Sequence, residues 1–173
     1  MDDATASRDL LIDSFARIAE HAEAVTDGLT TDIADRRIVP DANTIAWLVW
    51  HSARVVDAQL APIAGVEQVW TAQDWYGRFG LDLPAESTGY GHSRAEAAQV
   101  HGSDALLIGY FRDVTAMARA YLETVTPGEL GRVIDEAWDP PVTVAVRLVS
   151  IVDDCAQHLG AAAYLKGALE STI

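Results

Sequence analysis

An all-α fold, a four-helix bundle with one long crossover between its second and third helices, is what this chain predicts. Three observations lead there. Apolar residues recur at spacings of three and four in four separate segments. Residues that start and stop helices stand at the ends of those segments. A stretch rich in glycine and aromatic residues, too long for a simple connection, parts the second segment from the third.

The first helix is expected from about Ser7 to Thr26, where Leu11, Phe15, Ile18, Ala22 and Val25 form an apolar stripe. Gly28 stands where a C-terminal glycine belongs. Pro40 and the run Asp41 to Asn43 mark the entry to the second helix, whose stripe is Ile45, Leu48, Ser52, Val55, Gln59 and Ile63. Pro62 to Gly65 close it. Trp47, His51, Arg54 and Ala58 form the neighbouring stripe, which puts His51 on the inward edge with Trp47 one turn away.

The crossover, Val69 to Ser93, carries Trp70, Trp75, Tyr76, Phe79 and Tyr90 among Gly77, Gly80, Gly89, Gly91 and Pro84. Segments of this length are functional or pack as units of their own. Trp75, Tyr76 and Phe79 are therefore expected to fold over the mouth of a pocket, with an outer, purely structural packing as the alternative. Ser93 and Glu96 have capping-box spacing and open a helical piece that Gly102 interrupts. The third long helix carries Leu107, Tyr110, Val114, Met117, Tyr121 and Val125, and Thr126-Pro127 caps a short turn.

The fourth helix is the ambiguous element. Val142 to Val152 is rich in β-branched residues and begins with strand-like alternation. Arg147, Ile151, Asp154, His158, Ala162 and Leu165 nevertheless recur at three and four, and the length favours helix.

The chain has 173 residues, 50% of them apolar, enough for one domain with a proper core. A formal charge of −14, with Lys166 the only lysine and the arginines scattered, excludes the clustered basic surface that nucleic-acid phosphates require. No apolar run approaches the roughly 18 residues of a membrane span, and the acidic N-terminus is unlike a signal peptide. The single cysteine, Cys155, excludes an intrachain disulfide framework and fits a reducing compartment. A cytoplasmic monomer or homo-oligomer is expected. No GxGxxG, Walker A or GxSxG motif is present.

Chemistry concentrates in the last helix. Residues four apart stack on one helical face, so Asp154 and His158 offer a carboxylate oxygen and an imidazole nitrogen to one point. A third ligand from a facing helix would complete a metal site with open positions. On pattern alone, a histidine placed like His51 is more often a hydrogen-bonded core residue than a ligand, and Asp154 with His158 satisfies each other equally as an ion pair. Arg147 shares the stripe two turns below Asp154. It and Arg54 are candidate anchors for a polar or anionic substrate, with an interhelical ion pair as the other reading of Arg147. Asp153 points about 100° away from Asp154 and reads as solvated or as a supporting acid. His21 reads as surface, His101 as a residue at a helix break, His92 as a loop residue able to approach a pocket, and Cys155 as packing.

Several stretches carry a resemblance: Trp47-Leu-Val-Trp-His51, Asp74 to Gly80, Thr88-Gly-Tyr-Gly-His-Ser93, Trp138-Asp-Pro-Pro-Val-Thr143, and Asp154-Cys-Ala-Gln-His-Leu-Gly160 followed by Ala163 to Gly167. In order and spacing they resemble the DinB/YfiT-like superfamily, most of all its actinobacterial branch of mycothiol transferases. The resemblance implies a metal-binding four-helix bundle, often a homodimer. It also implies three histidine ligands, one in the second helix and an HxxxH pair in the last. His51 matches the first and His158 the last, while Asp154 stands in the place of the middle histidine. A carboxylate is a harder, anionic donor that suits zinc, nickel or manganese.

The implied activity is S-transfer, in which a low-molecular-weight thiol such as mycothiol attacks an electrophilic substrate. The alternatives are a metal-dependent isomerase or hydrolase on the same bundle, or a non-enzymatic binding module whose metal site is vestigial.

Overall fold

The structure, a computed structural model, describes residues 3–171. In chain order its elements are α1 (Asp3–Thr26), α2 (Thr31–Ala34), α3 (Ile45–Ala64), α4 (Val69–Ala72), α5 (Trp75–Phe79), α6 (Arg94–Ala97), α7 (Asp104–Leu122), α8 (Pro127–Leu130), β1 (Val133–Asp135), β2 (Val142–Thr143) and α9 (Val144–Glu170). Among the described residues helix makes up 65% and strand 3%, so the class is all-α.

Local chemistry accounts for the boundaries. Thr44, Ser103 and Thr143 are the N-caps of α3, α7 and α9, each hydroxyl accepting from a backbone N–H three residues on. Ser93 and Glu96 form the full capping box of α6. Gly65, at φ +70°, ends α3 in the left-handed conformation that glycine adopts without penalty. The first helix begins at Asp3, ahead of the expected Ser7, and no glycine or proline intervenes to stop it. The strand-like start of the last segment is a strand for two residues only. Val142 and Thr143 pair antiparallel with β1, Thr143 facing Val133 and Val142 facing Asp135, before the Thr143 cap launches α9.

The four long helices form the bundle, each packed along two others in the ring order α1, α7, α3, α9. Contacts give their directions. Glu23 meets Arg112, whereas Ile12 and Phe15 lie beside Arg119 and Leu122, so α1 and α7 run antiparallel. Ser52 lies against Cys155 and Gln59 against Arg147, so α3 and α9 also run antiparallel. Lys166 reaches the carbonyls at the end of α1, which makes α1 and α9 parallel. It follows that α3 and α7 run parallel. The chain must therefore return along the whole of α3, about 30 Å at 1.5 Å per residue, before α7 can start. This return is the work of the crossover.

One continuous apolar core fills the bundle, with Trp50, Trp70, Tyr110, Phe111, Ile151 and Leu159 among its fully enclosed side chains. No described helix is long and apolar enough to cross a membrane.

Candidate metal centre

Near the start of α3 and the middle of α9, three side chains converge. His51, buried on α3, faces Asp154 and His158, half-buried on α9. The rings of His51 and His158 are 4.7 Å apart between centres. His51 Nε2 lies 4.0 Å from Asp154 Oδ2, and His158 Nε2 lies 3.6 Å from Asp154 Oδ1. One donor atom from each residue falls within 4.8 Å of the others. Helical periodicity supplies two of these donors and the antiparallel contact of α3 with α9 supplies the third.

The crossover orients the buried histidine. Thr88 O is 2.6 Å from His51 Nδ1. A carbonyl only accepts, so Nδ1 carries the ring proton and Nε2 keeps its lone pair toward Asp154 and His158. Burial pushes the His51 pKa below its ordinary value, against an upward pull from the Thr88 bond, so the neutral ring is favoured at pH 7. Histidines that ligate metals are held in this way by a carbonyl on the far nitrogen. The close approach depends on Gly89: at φ +97°, a Cβ there would sit 2.5 Å from His51 Nδ1 and 3.1 Å from Trp47 Cζ2.

The rest of the wall is aromatic. Trp47 stacks on His51 and meets His158 edge-on. Its Nε1 donates to His92 Nδ1 at 3.2 Å. His92 then carries its proton on Nε2 and donates it to Ser87 Oγ at 2.7 Å. Burial also lowers the His92 pKa, in keeping with a neutral ring.

The residues present fit a divalent cation. Asp154 Oδ2 is buried and has no hydrogen-bond partner, a costly condition for a carboxylate oxygen that faces no cation. It points into the space bounded by His51 Nε2, whose lone pair is likewise directed there. Two imidazoles and one carboxylate are an established donor set for zinc, and the spacing is near the span of two bonds of about 2.1 Å. Asp154 and His158 remain accessible from solvent, which leaves the α9 side open for a further ligand.

Other expected site residues lie elsewhere. Trp75 is buried against Tyr110 and Phe79 and donates from Nε1 to Asp113 on α7. Tyr76 packs on Trp70 and donates its hydroxyl proton to Leu83 O. The expectation that these aromatics roof the site is thus corrected: Trp75 packs on α7, Tyr76 packs within the crossover, and Thr88 to His92 roof the site instead. Arg54 is corrected too. It is fully enclosed beside Asp57 and Tyr110 and presents nothing to a substrate. Arg147 lies two turns along α9 from Asp154, bonded to Gln59 at 3.3 Å and paired with Asp135 at 3.8 Å. His21, His101 and Asp153 are exposed. Cys155 points into the core, its thiol donating to Ser52 O and its pKa pushed far up by burial. Sequence reasoning missed the Thr88 carbonyl and Gly89 as supports of His51; the Gly-Tyr-Gly run was the available signal.

Comparison with known proteins bears on the family and the fold. A family model described as mycothiol S-transferase matches residues 10–171. A crystal structure of a conserved protein from Enterococcus faecalis superposes with a TM-score of 0.85 at 34% sequence identity, covering 91% of this chain and 94% of that one. No curated protein gives a significant match. Matched from residue 10 to residue 171, and folded as a helical bundle, the chain belongs to the DinB-like mycothiol S-transferase family.

Proposed function

We propose that this protein is a metal-dependent S-transferase that joins a low-molecular-weight thiol, of the mycothiol class, to an electrophilic carbon. The observation that carries the reading is the convergence of one donor atom each from His51, Asp154 and His158 within 4.8 Å, with Asp154 Oδ2 unpartnered, beside an open face. His51, Asp154 and His158 would hold one divalent cation, zinc or nickel by donor type with manganese also accommodated. When bound, such a cation lowers the pKa of a thiol so that thiolate is present at neutral pH.

The chain's own residues do the remaining work. Thr88 fixes the tautomer of His51, and the Trp47 ring excludes water from one side of the cluster. In the transfer the thiol sulfur forms a bond to the electrophilic carbon, and the leaving group departs with its bonding electron pair. The thiol's polar body has room along the α3–α9 seam. There, two turns from Asp154, a cleft of about 510 Å³ is lined by Gln59, Asp135 and Arg147 among others, and Arg147 is the anchor for a carboxylate.

Metal analysis of the purified protein, followed by incubation with mycothiol and a chromogenic electrophile, tests the proposal. Thiol and electrophile should disappear one for one, and His158→Ala should abolish turnover while far-ultraviolet circular dichroism stays helical. Equal rates for the variant and the native protein would sink it. Loss of a substrate without loss of thiol would point instead to isomerisation or hydrolysis.

A further inference from the structure

Arg54 is the most enclosed cation of the described chain, and Asp57, three residues on, is sealed with it. Asp57 is fully committed. Its oxygens accept from the backbone N–H groups of Val69 and Trp70, both at 2.8 Å, and from the Tyr110 hydroxyl at 2.8 Å. Arg54 Nη1 donates to Gln68 Oε1 at 2.9 Å and to the Tyr110 oxygen at 3.2 Å. One bond leaves this network: Arg54 Nε donates to the Ser87 carbonyl at 3.0 Å. The next carbonyl along, that of Thr88, accepts from His51 Nδ1 at 2.6 Å. His51 and Arg54 are three residues apart on α3, so they grip two successive peptide units of the same loop. The other end of that loop is tied back by His92, which bonds both Ser87 Oγ and Trp47.

We propose that Arg54 is a positioning residue for His51: by holding the Ser87 carbonyl it sets the place of the Thr88 carbonyl, and so the tautomer and aim of the His51 ring. The buried Asp57–Arg54 pair is the rigid base of this clamp, and the loop is its moving jaw. A planar guanidinium is suited to the task, because Nη1 meets Asp57, Gln68 and Tyr110 while Nε remains for the loop. Among the described residues, no other hydrogen bond ties the backbone between Ser87 and Gly91 to α3, so the register of the contact depends on the Arg54 bond. The cation-affinity arm below rests on the metal reading of the cluster; the tautomer arm does not.

The test is Arg54→Lys, which keeps a positive charge near Asp57 but lacks the fork that serves both Asp57 and Ser87. Zinc is titrated into native and variant protein against a chromophoric chelator, with circular dichroism confirming the fold. Loss of a supporting contact of this kind lowers metal affinity by about 10–100-fold, which is the expected result. In metal-free protein, ¹⁵N resonances of the His51 ring should show the Nδ1–H form in the native chain and a mixture of tautomers in the variant. A role confined to core packing would lower unfolding stability and move neither readout. An affinity within twofold of native, together with an unchanged tautomer, overturns the proposal. Should the native protein bind no zinc, the metal reading fails and the tautomer alone decides the role of Arg54. If Arg54→Lys does not fold, the double variant Arg54→Met with Asp57→Asn, which removes both buried charges together, is judged on the same two readouts.

Discussion

The indole of Trp47 lies face to face with the imidazole of His51, ring centres 4.5 Å apart and planes inclined by 19°. The same indole meets His158 edge-on at 5.9 Å and donates to His92. One side chain thus touches both histidines of the cluster and the loop above them. Trp47→Phe keeps an aromatic face and loses the donor, for an expected loss of about 1 kcal/mol of stability. Trp47→Ala should cost about 3–5 kcal/mol and weaken zinc binding as well. Urea unfolding and zinc titration measure the two effects; native zinc affinity in the alanine variant would show that the ring only packs.

Gly89→Ala should damage the site without touching a ligand. The added Cβ would stand 2.5 Å from His51 Nδ1, in a backbone conformation (φ +97°) that disfavours alanine. We expect zinc affinity to fall by at least about tenfold, as for loss of a supporting contact, with about 1–3 kcal/mol of strain. A variant with native affinity and native stability would mean that this loop does not press on the ring.

Trp75→Ala provides the converse. Its ring fills space against Tyr110 and Phe79 and closes on Gly109, where a Cβ would come within 2.6 Å of it. Truncation should cost about 3–5 kcal/mol yet leave zinc affinity unchanged, since the ring packs on α7. A large drop in affinity at unchanged stability would restore Trp75 to the site.

Glu129 predicts a pH dependence. The Arg132 guanidinium, then the Tyr121 hydroxyl, hold its carboxyl at about 2, below its ordinary value of 4.5. A depressed carboxylate contributes stability above its unfolded pKa and loses that contribution as pH falls through the folded value. Glu129→Gln should therefore lower the Tm at pH 7 by about 2–4 °C, corresponding to at most about 1 kcal/mol for a largely solvated pair. The gap between variant and native should narrow from about pH 4.5 downward and close near pH 2. A constant gap across that range would count against the ion pair.

The parts of this molecule that were legible in the sequence are those encoded locally. The stripes of α1, α3, α7 and α9, the Ser93–Glu96 capping box and Pro127 at the start of α8 each depend on residues within a few positions of one another. So does the Asp154–His158 pair. The Thr88 contact to His51 spans 37 residues and uses a backbone carbonyl, a group that every residue type carries. The one local sign of it is the Gly-Tyr-Gly run that follows Thr88, and that run does not name the partner. Arg54 was misjudged for a related reason: its partner Tyr110 lies 56 positions away, and helical spacing cannot tell a cation aimed at solvent from one sealed against a distant helix. An aromatic such as Trp75 is equally suited to a pocket wall and to a core, and its packing on Tyr110 of α7, 35 positions away, decided for the core.

Cys155 adjoins Asp154, yet its side chain turns into the core against Ser52, with its thiol pushed far up by burial. It is the chain's only cysteine. An S-transferase of the kind proposed, if its cysteine were reactive, would risk capping itself with a mixed disulfide or a thioether adduct. Here the neutral, enclosed sulfur is a poor nucleophile. The native fold should remain unlabelled by iodoacetamide and unglutathionylated under conditions in which the urea-unfolded chain reacts once.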